Sequence, residues 1–241
     1  MKVNILEDYK KLSMAVADYI IDQVKEKPES LLCLAGGDTP LLTYNYLAQA
    51  YTNGKVDFSK CRFVSLDEWV GLDINVKGSC IETLYNNLYY KLNLNSEQIC
   101  FFDGKARDLN NECKRIDNFI FINGGIDLIL LGIGMNGHIG FNEPNVNINK
   151  YSQIFKLDDV TKNVCVKYFE ESIIPEAGMS LGMKHILEAK KVVLMANSIK
   201  KADIVYRTIR GEKSVEVPSS LIRAIVGSQI FLDYEAASKL V

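Results

Sequence analysis

IDLILLGIGMNGHIGFNEP, residues 126–144, enters an unbroken apolar run after Asp127 and ends in a glycine-rich loop. The run is apolar on both alternating faces, as a strand covered by helices on each side of a parallel sheet must be. The loop carries His138, one of only two histidines in the chain, among Gly132, Gly134, Gly137 and Gly140. Asn136 stands two residues before His138 and Glu143 five after it. A buried strand that runs into a histidine, an amide and a carboxylate predicts an α/β sheet with its chemistry at the carboxyl edge.

The flanking sequence extends the pattern. Leu12, Val16, Ile20 and Val24 recur every fourth residue with charged residues between them, which is helix periodicity. LLCLA (31–35) reads as a buried strand, followed by GGDTP and a helical LLTYNYLAQAY. CRFVSL (61–66) is strand-like and ends at Asp67-Glu68, and IETLYNNLYYKL (81–92) reads as a helix. KKVVLMA (190–196) and SQIFLD (228–233) are further strands, separated by the helical IKKADIVYRTIRG. Strand and helix alternation of this kind predicts a doubly wound, mostly parallel, Rossmann-like sheet. With no repeat or linker, residues 1–241 are expected to form one domain.

Composition narrows the function classes. The chain is 48% hydrophobic and 24% charged, which suits a packed core. A formal charge of -2 gives no global basic field for nucleic acid or an anionic membrane, so any anionic ligand needs local counter-charges. No apolar segment approaches the roughly 20 residues that span a bilayer. Cys33, Cys61, Cys80, Cys100, Cys113 and Cys165 show neither CxxC nor Cys/His metal spacing. Reduced thiols and a cytoplasmic location are expected.

Three polar clusters each follow a predicted strand, so all three should meet on one edge. Gly132-x-Gly134-x-x-Gly137 formally matches a dinucleotide fingerprint, but HIGFNEPNVNINK after it lacks the required helical period. The glycines are better read as letting the backbone turn and approach a ligand. Glu143 can fix one ring nitrogen of His138 and leave the other for proton transfer. His185, beside lysines in GMKHILEAKK, is expected at the surface. Asp67 and Glu68 are adjacent on an extended chain and point opposite ways, so one of them faces the site, and Asp67 is the expected general base. In Gly36-Gly37-Asp38-Thr39-Pro40, Thr39 suits a helix N-cap and Pro40 the first helical position. The exposed N–H groups and dipole of such a start bind anions. Asp38 must then point outward or be neutralised by a lysine.

With GGDTP, LDEWVGL, GIGMNGHIGFNEP, NSIKKAD and VPSSLI in line, the chain resembles the glucosamine-6-phosphate deaminase/6-phosphogluconolactonase superfamily over nearly its whole length. DEW and FNEP favour the amino-sugar branch, since the lactonases typically read DER and end the third motif in SLFP. Asn136, in place of the usual aspartate, and Gly78-Ser79-Cys80 look most like the galactosamine-6-phosphate isomerase group, with glucosamine 6-phosphate as the near alternative substrate.

The resemblance implies ring opening of an aldohexosamine 6-phosphate, isomerisation to a ketose 6-phosphate and release of ammonia, with no cofactor and no metal. It makes Asp67 the base that moves a proton between C2 and C1, His138 the ring-opening shuttle, and Glu143 its support, with Asn136 beside them. It places phosphate on the Gly36, Gly37, Asp38 and Thr39 bend, with Lys201 and Lys167 as cations. Lys167 stands where relatives more often show arginine and keeps the charge without the bidentate geometry. The partner implied is a small sugar phosphate, and homo-oligomer formation is left open. Two rivals remain: a lactonase using the same histidine on an ester, and a sugar-phosphate sensor, for which the chain shows no helix-turn-helix or basic face.

Overall fold

Alternation of apolar side chains sets the layers. In the computed structural model, which describes residues 1–157, 169 and 175–240, the elements follow in chain order as β1 (Lys2–Leu6), α1 (Tyr9–Glu26), β2 (Leu31–Leu34), α2 (Leu41–Thr52), β3 (Arg62–Ser65), β4 (Asp67–Trp69), α3 (Cys80–Asn87), β5 (Ile99–Cys100), α4 (Leu109–Ile122), β6 (Leu128–Leu131), β7 (Gln153–Lys156), β8 (Ala177–Ser180), α5 (Met183–Glu188), β9 (Lys191–Ala196), α6 (Ala202–Arg210) and β10 (Gln229–Asp233). On one face of the main sheet Leu32, Leu34, Leu128, Leu130, Val193 and Met195 pack against Leu12, Val16 and Ile20 of α1 and Tyr44 and Leu47 of α2. Their sequence neighbours Leu31, Cys33, Ile129, Leu131, Val192 and Leu194 face Ile116 and Ile120 of α4 and Ile204 and Val205 of α6. The period of two therefore feeds two cores at once.

The sheet has the order β1-β10-β9-β6-β2-β3-β5, and each neighbouring pair is parallel. From β2 the chain moves outward through β3 and β5, then returns to the other flank of β2 as β6 and continues through β9 and β10. The direction of winding reverses between β2 and β6. Loops diverge at such a point and leave a crevice at the strand carboxyl ends. The GGDTP bend and the GIGMNGH loop border it.

Several expectations are refined. The second predicted strand does not close on Asp67-Glu68: β3 ends at Ser65, and residues 67–69 form β4 in a separate antiparallel sheet of order β4-β8-β7. Asp67 there opposes Ser180. The predicted 81–92 helix divides into α3 and a 3-10 turn over Tyr89–Leu92, which buries Leu88, Tyr89 and Leu92 together. Pro40, not Thr39, is the N-cap of α2, and it makes no side-chain cap bond because its ring carries no acceptor. His185 is buried rather than at the surface: its Nε2 lies 2.7 Å from Asp117 Oδ1, and the ring packs on Tyr151. The carboxylate supplies the partner that a buried imidazole needs. Cys33, Cys61, Cys80, Cys100 and Cys113 are free and buried. Among the described residues no helix is long and apolar enough to cross a membrane.

Candidate active site

His138, Asn136 and Glu143 form one hydrogen-bonded unit on the loop after β6. Asn136 Nδ2 donates to Glu143 Oε2 at 2.6 Å, and the His138 backbone N–H donates to Asn136 Oδ1 at 3.1 Å. A carboxylate only accepts, so the amide must turn its NH2 to Glu143 and its oxygen to the histidine. His138 Nδ1 lies 3.1 Å from Glu143 Oε1, close enough for an ion pair although the ring N–H is not aligned on that oxygen. The contact favours a proton on Nδ1 and leaves Nε2 as the acceptor.

Glycine makes the room for this unit. A β-carbon at Gly134 would overlap the Cε1–Nε2 edge of His138, so only glycine lets the ring lie there. Gly140, at φ +56°, takes a left-handed turn, and a β-carbon on it would sit 3.3 Å from Asp67 Oδ2 and collide with Ser180 Oγ. The same turn thus brings the His138 loop against β4.

Asp67 and Glu68 do point opposite ways. Asp67 is partly exposed toward the His138 loop, whereas Glu68 is fully buried. Burial raises the Asp67 carboxyl to about 6, against a hydrogen bond from the Cys80 thiol and the nearby His138, which both favour the anion. Glu68 accepts from the amides of Trp69 at 2.8 Å, Cys80 at 3.0 Å and Ile81 at 2.8 Å. It thereby ties β4 to the start of α3. Burial lifts its carboxyl to about 7 while those three N–H groups pull the other way. Trp69 packs edge-on to Phe141, with ring centroids 4.7 Å apart, and to Phe169.

The phosphate candidates lie on neighbouring loops. Gly37 and Asp38 are exposed on the bend after β2. Thr39 is held through its carbonyl by Tyr9 Oη at 2.8 Å, and the Tyr9 hydroxyl in turn accepts from the Leu42 amide at 3.3 Å. Lys201, in the turn before α6, donates to Ile133 O at 2.6 Å and so carries its charge to the loop after β6. Lys167 lies outside the described residues. Among the described residues, no group of three or more His, Cys, Asp and Glu could hold a metal ion.

The family of glucosamine-6-phosphate isomerases and 6-phosphogluconolactonases matches residues 7–231. The chain belongs to this family. It is 37% identical to a glucosamine-6-phosphate deaminase of Clostridium acetobutylicum over 241 residues, covering 100% of both chains. A glucosamine-6-phosphate deaminase of Clostridium botulinum strain Eklund 17B is 39% identical over 241 residues, covering 100% of this chain and 97% of the relative. The solved structure of a monomeric glucosamine-6-phosphate deaminase superposes with a TM-score of 0.95 at 31% identity, covering 99% of this chain and 100% of that one. A 6-phosphogluconolactonase from Thermotoga maritima shares the fold, at a TM-score of 0.76 and 17% identity, with 96% of this chain and 98% of that one covered.

Within the family fold, two contributors escape motif reading. Cys80 meets Glu68, the neighbour of Asp67, only because α3 begins beside β4, and Tyr9 reaches Thr39 from the first helix. The GSC stretch at the start of α3 is a sequence signal for Cys80, but nothing local ties it to Glu68. Tyr9 gives no such signal.

Proposed function

We propose that the protein is a hexosamine-6-phosphate deaminase acting on glucosamine 6-phosphate to give fructose 6-phosphate and ammonia. The observation that carries this reading is the pairing of two separate proton-transfer groups at one crevice: the His138–Glu143–Asn136 unit and Asp67. Opening a pyranose needs a proton taken from the anomeric hydroxyl and one given to the ring oxygen, and Nε2 of His138 is suited to shuttle it. The open chain then carries an acidic C2–H beside the aldehyde. Asp67 removes that proton and returns it at C1, leaving an imine at C2 that water hydrolyses to ketone and ammonia. A carboxyl raised to about 6 is ionised at neutral pH yet basic enough for the task.

The phosphate is read as lying against the exposed amides of Gly37 and its neighbours, with Lys201 as counter-charge and Lys167 as a second cation. Asp38, exposed on the same bend, is read as turned away from the dianion or neutralised by a lysine. Full-length likeness to relatives named glucosamine-6-phosphate deaminase favours the gluco substrate over the galactosamine 6-phosphate that Asn136 and the GSC stretch suggest. The sequence difference at Asn136 keeps the galacto sugar as the second reading.

Ammonia release by purified protein, with glucosamine 6-phosphate and galactosamine 6-phosphate compared at equal concentrations, tests both. Faster release from the gluco sugar is expected. Preference for the galacto sugar would move the substrate and keep the mechanism, and no release from either would sink the deaminase reading.

A further inference from the structure

Asn142 belongs to the FNEP stretch, yet the deaminase chemistry gives it no part. It is fully buried in the turn that follows His138. Its Nδ2 carries two hydrogens, and two carbonyls receive them: Ile139 O at 2.9 Å and Leu181 O at 2.8 Å. Its oxygen Oδ1 meets no donor among the described residues, so what the side chain contributes is that pair of N–H groups. The first bond closes the turn. Ile139 O accepts the Asn142 backbone N–H as well, at 3.0 Å, while the carbonyl of His138 accepts from the Gly134 amide at 3.0 Å. The second bond leaves the loop altogether. Leu181 follows β8, and its own N–H donates to Leu66 O at 2.8 Å, one residue before Asp67. A polar route of three hydrogen bonds thus runs from the neighbour of His138 to the neighbour of Asp67, with the Asn142 amide at its centre.

The contacts around this route are apolar or long. A β-carbon at Gly178 would overlap the ring of Phe141, so the ring rests flat against β8. The Phe141 amide reaches Ser180 Oγ at 3.4 Å, too far to fix a loop by itself. Packing of that kind holds the loop down but leaves it free to slide. A directed amide bridge does not.

We propose that Asn142 is a positioning residue for His138, its NH2 group stapling the histidine loop to the strand pair that carries Asp67. The proposal rests on His138 and Asp67 being the two proton-transfer groups of the preceding section. Only an amide serves here. Aspartate has the same shape but would set acceptors against two carbonyls, and alanine would leave the loop unstapled.

The test compares wild type, Asn142→Ala and Asn142→Asp in steady-state kinetics, corrected for folded fraction, and in nitrogen NMR of the imidazoles. We expect kcat to fall about 10- to 100-fold with KM within about 3-fold, since the loss lies in alignment rather than binding. The ring-nitrogen signals of His138 should move toward those of an imidazole exchanging freely between tautomers. His185, the other histidine, is held on Asp117 and should keep its signals, which makes it an internal reference. A merely structural role would lower stability and leave both kcat per folded molecule and the His138 signals unchanged. That result, or a fall in kcat without movement at His138, overturns the proposal. Where neither variant folds, the wild type still decides: coupling across the hydrogen bond from Asn142 Nδ2 to the Leu181 carbonyl carbon supports the staple, and its absence overturns it. Should the wild type release no ammonia, the deaminase reading fails, while the imidazole signals still report whether Asn142 places His138.

Discussion

Gly134 lies directly beneath the imidazole of His138, and any β-carbon there would occupy the space of the Cε1–Nε2 edge. The ring's working edge is therefore set by the absence of a side chain four residues upstream. Gly134→Ala should push the ring off its position while sparing the buried strand β6 before it. A displacement of about 1 Å costs on the order of 100-fold in rate, so kcat should fall by about that factor with thermal stability little changed. Steady-state kinetics beside a melting curve checks this.

Asp67 makes two linked predictions. As a base raised to about 6, it requires kcat/KM to climb through pH 6 and level off above it. Asp67→Asn should abolish ammonia release while sugar-phosphate binding persists. Stability moves the other way. A carboxyl whose folded value lies above its unfolded one binds more protons in the folded state, so stability falls as pH rises from about 4 through about 6. Removing the charge should leave Asp67→Asn more stable than wild type at pH 7, by about 1–3 kcal/mol. Urea titrations at pH 4 and pH 7 would read a difference present only at the higher pH.

Asn136 joins the two ends of its loop, holding Glu143 through Nδ2 and the His138 amide through Oδ1. Asn136→Ala releases both, and the proposed support of the histidine loosens. We expect kcat to fall by about 10- to 100-fold, a loss typical of removing an orienting hydrogen-bond partner. Glu143→Gln should fall in the same range, since the amide cannot balance an imidazolium. Unchanged turnover in Glu143→Gln would remove that carboxylate from the mechanism.

Far from the crevice, Asp127 sits at the entry to β6 with Lys27 at 2.8 Å, Lys190 at 2.9 Å and the Leu31 amide at 2.9 Å. Burial pushes its carboxyl up, but those hydrogen bonds outweigh it and hold it below the usual range. A lowered folded value contributes stability above the unfolded value, and this is lost as pH falls through the folded one. Asp127→Ala should cost about 1–3 kcal/mol at pH 7 by leaving the buried Leu31 amide unmet, and less below pH 3. Denaturant midpoints at the two pH values would show it, with ammonia release per folded molecule unaltered.

Much of the fold is legible in local patterns of residues. LILL and KVVLMA announce buried parallel strands because burial on both sides demands apolar residues at every position. Asp67 and Glu68 divide between crevice and core because adjacent residues on an extended chain must part. Less legible are β1, β5, β7, β8 and α4, whose patterns are short or mixed. The break after Ser65 is also hidden, since β4 reads as a continuation of β3 until its pairing with β8 is known. His185 misleads for a similar reason: its partner Asp117 is 68 residues away.

The sequence by itself determined the strand–helix alternation, the glycine-lined His138 loop and the family, because these rest on local periodicity and on motifs read along the chain. Only the tertiary structure decided that β6 lies beside β2 and not beside β5, that Gly140 abuts Asp67, and that the Cys80 amide meets Glu68. Each of those is a contact between segments whose meeting depends on how the whole sheet winds. No local preference encodes it, because its free energy comes from burying both segments together.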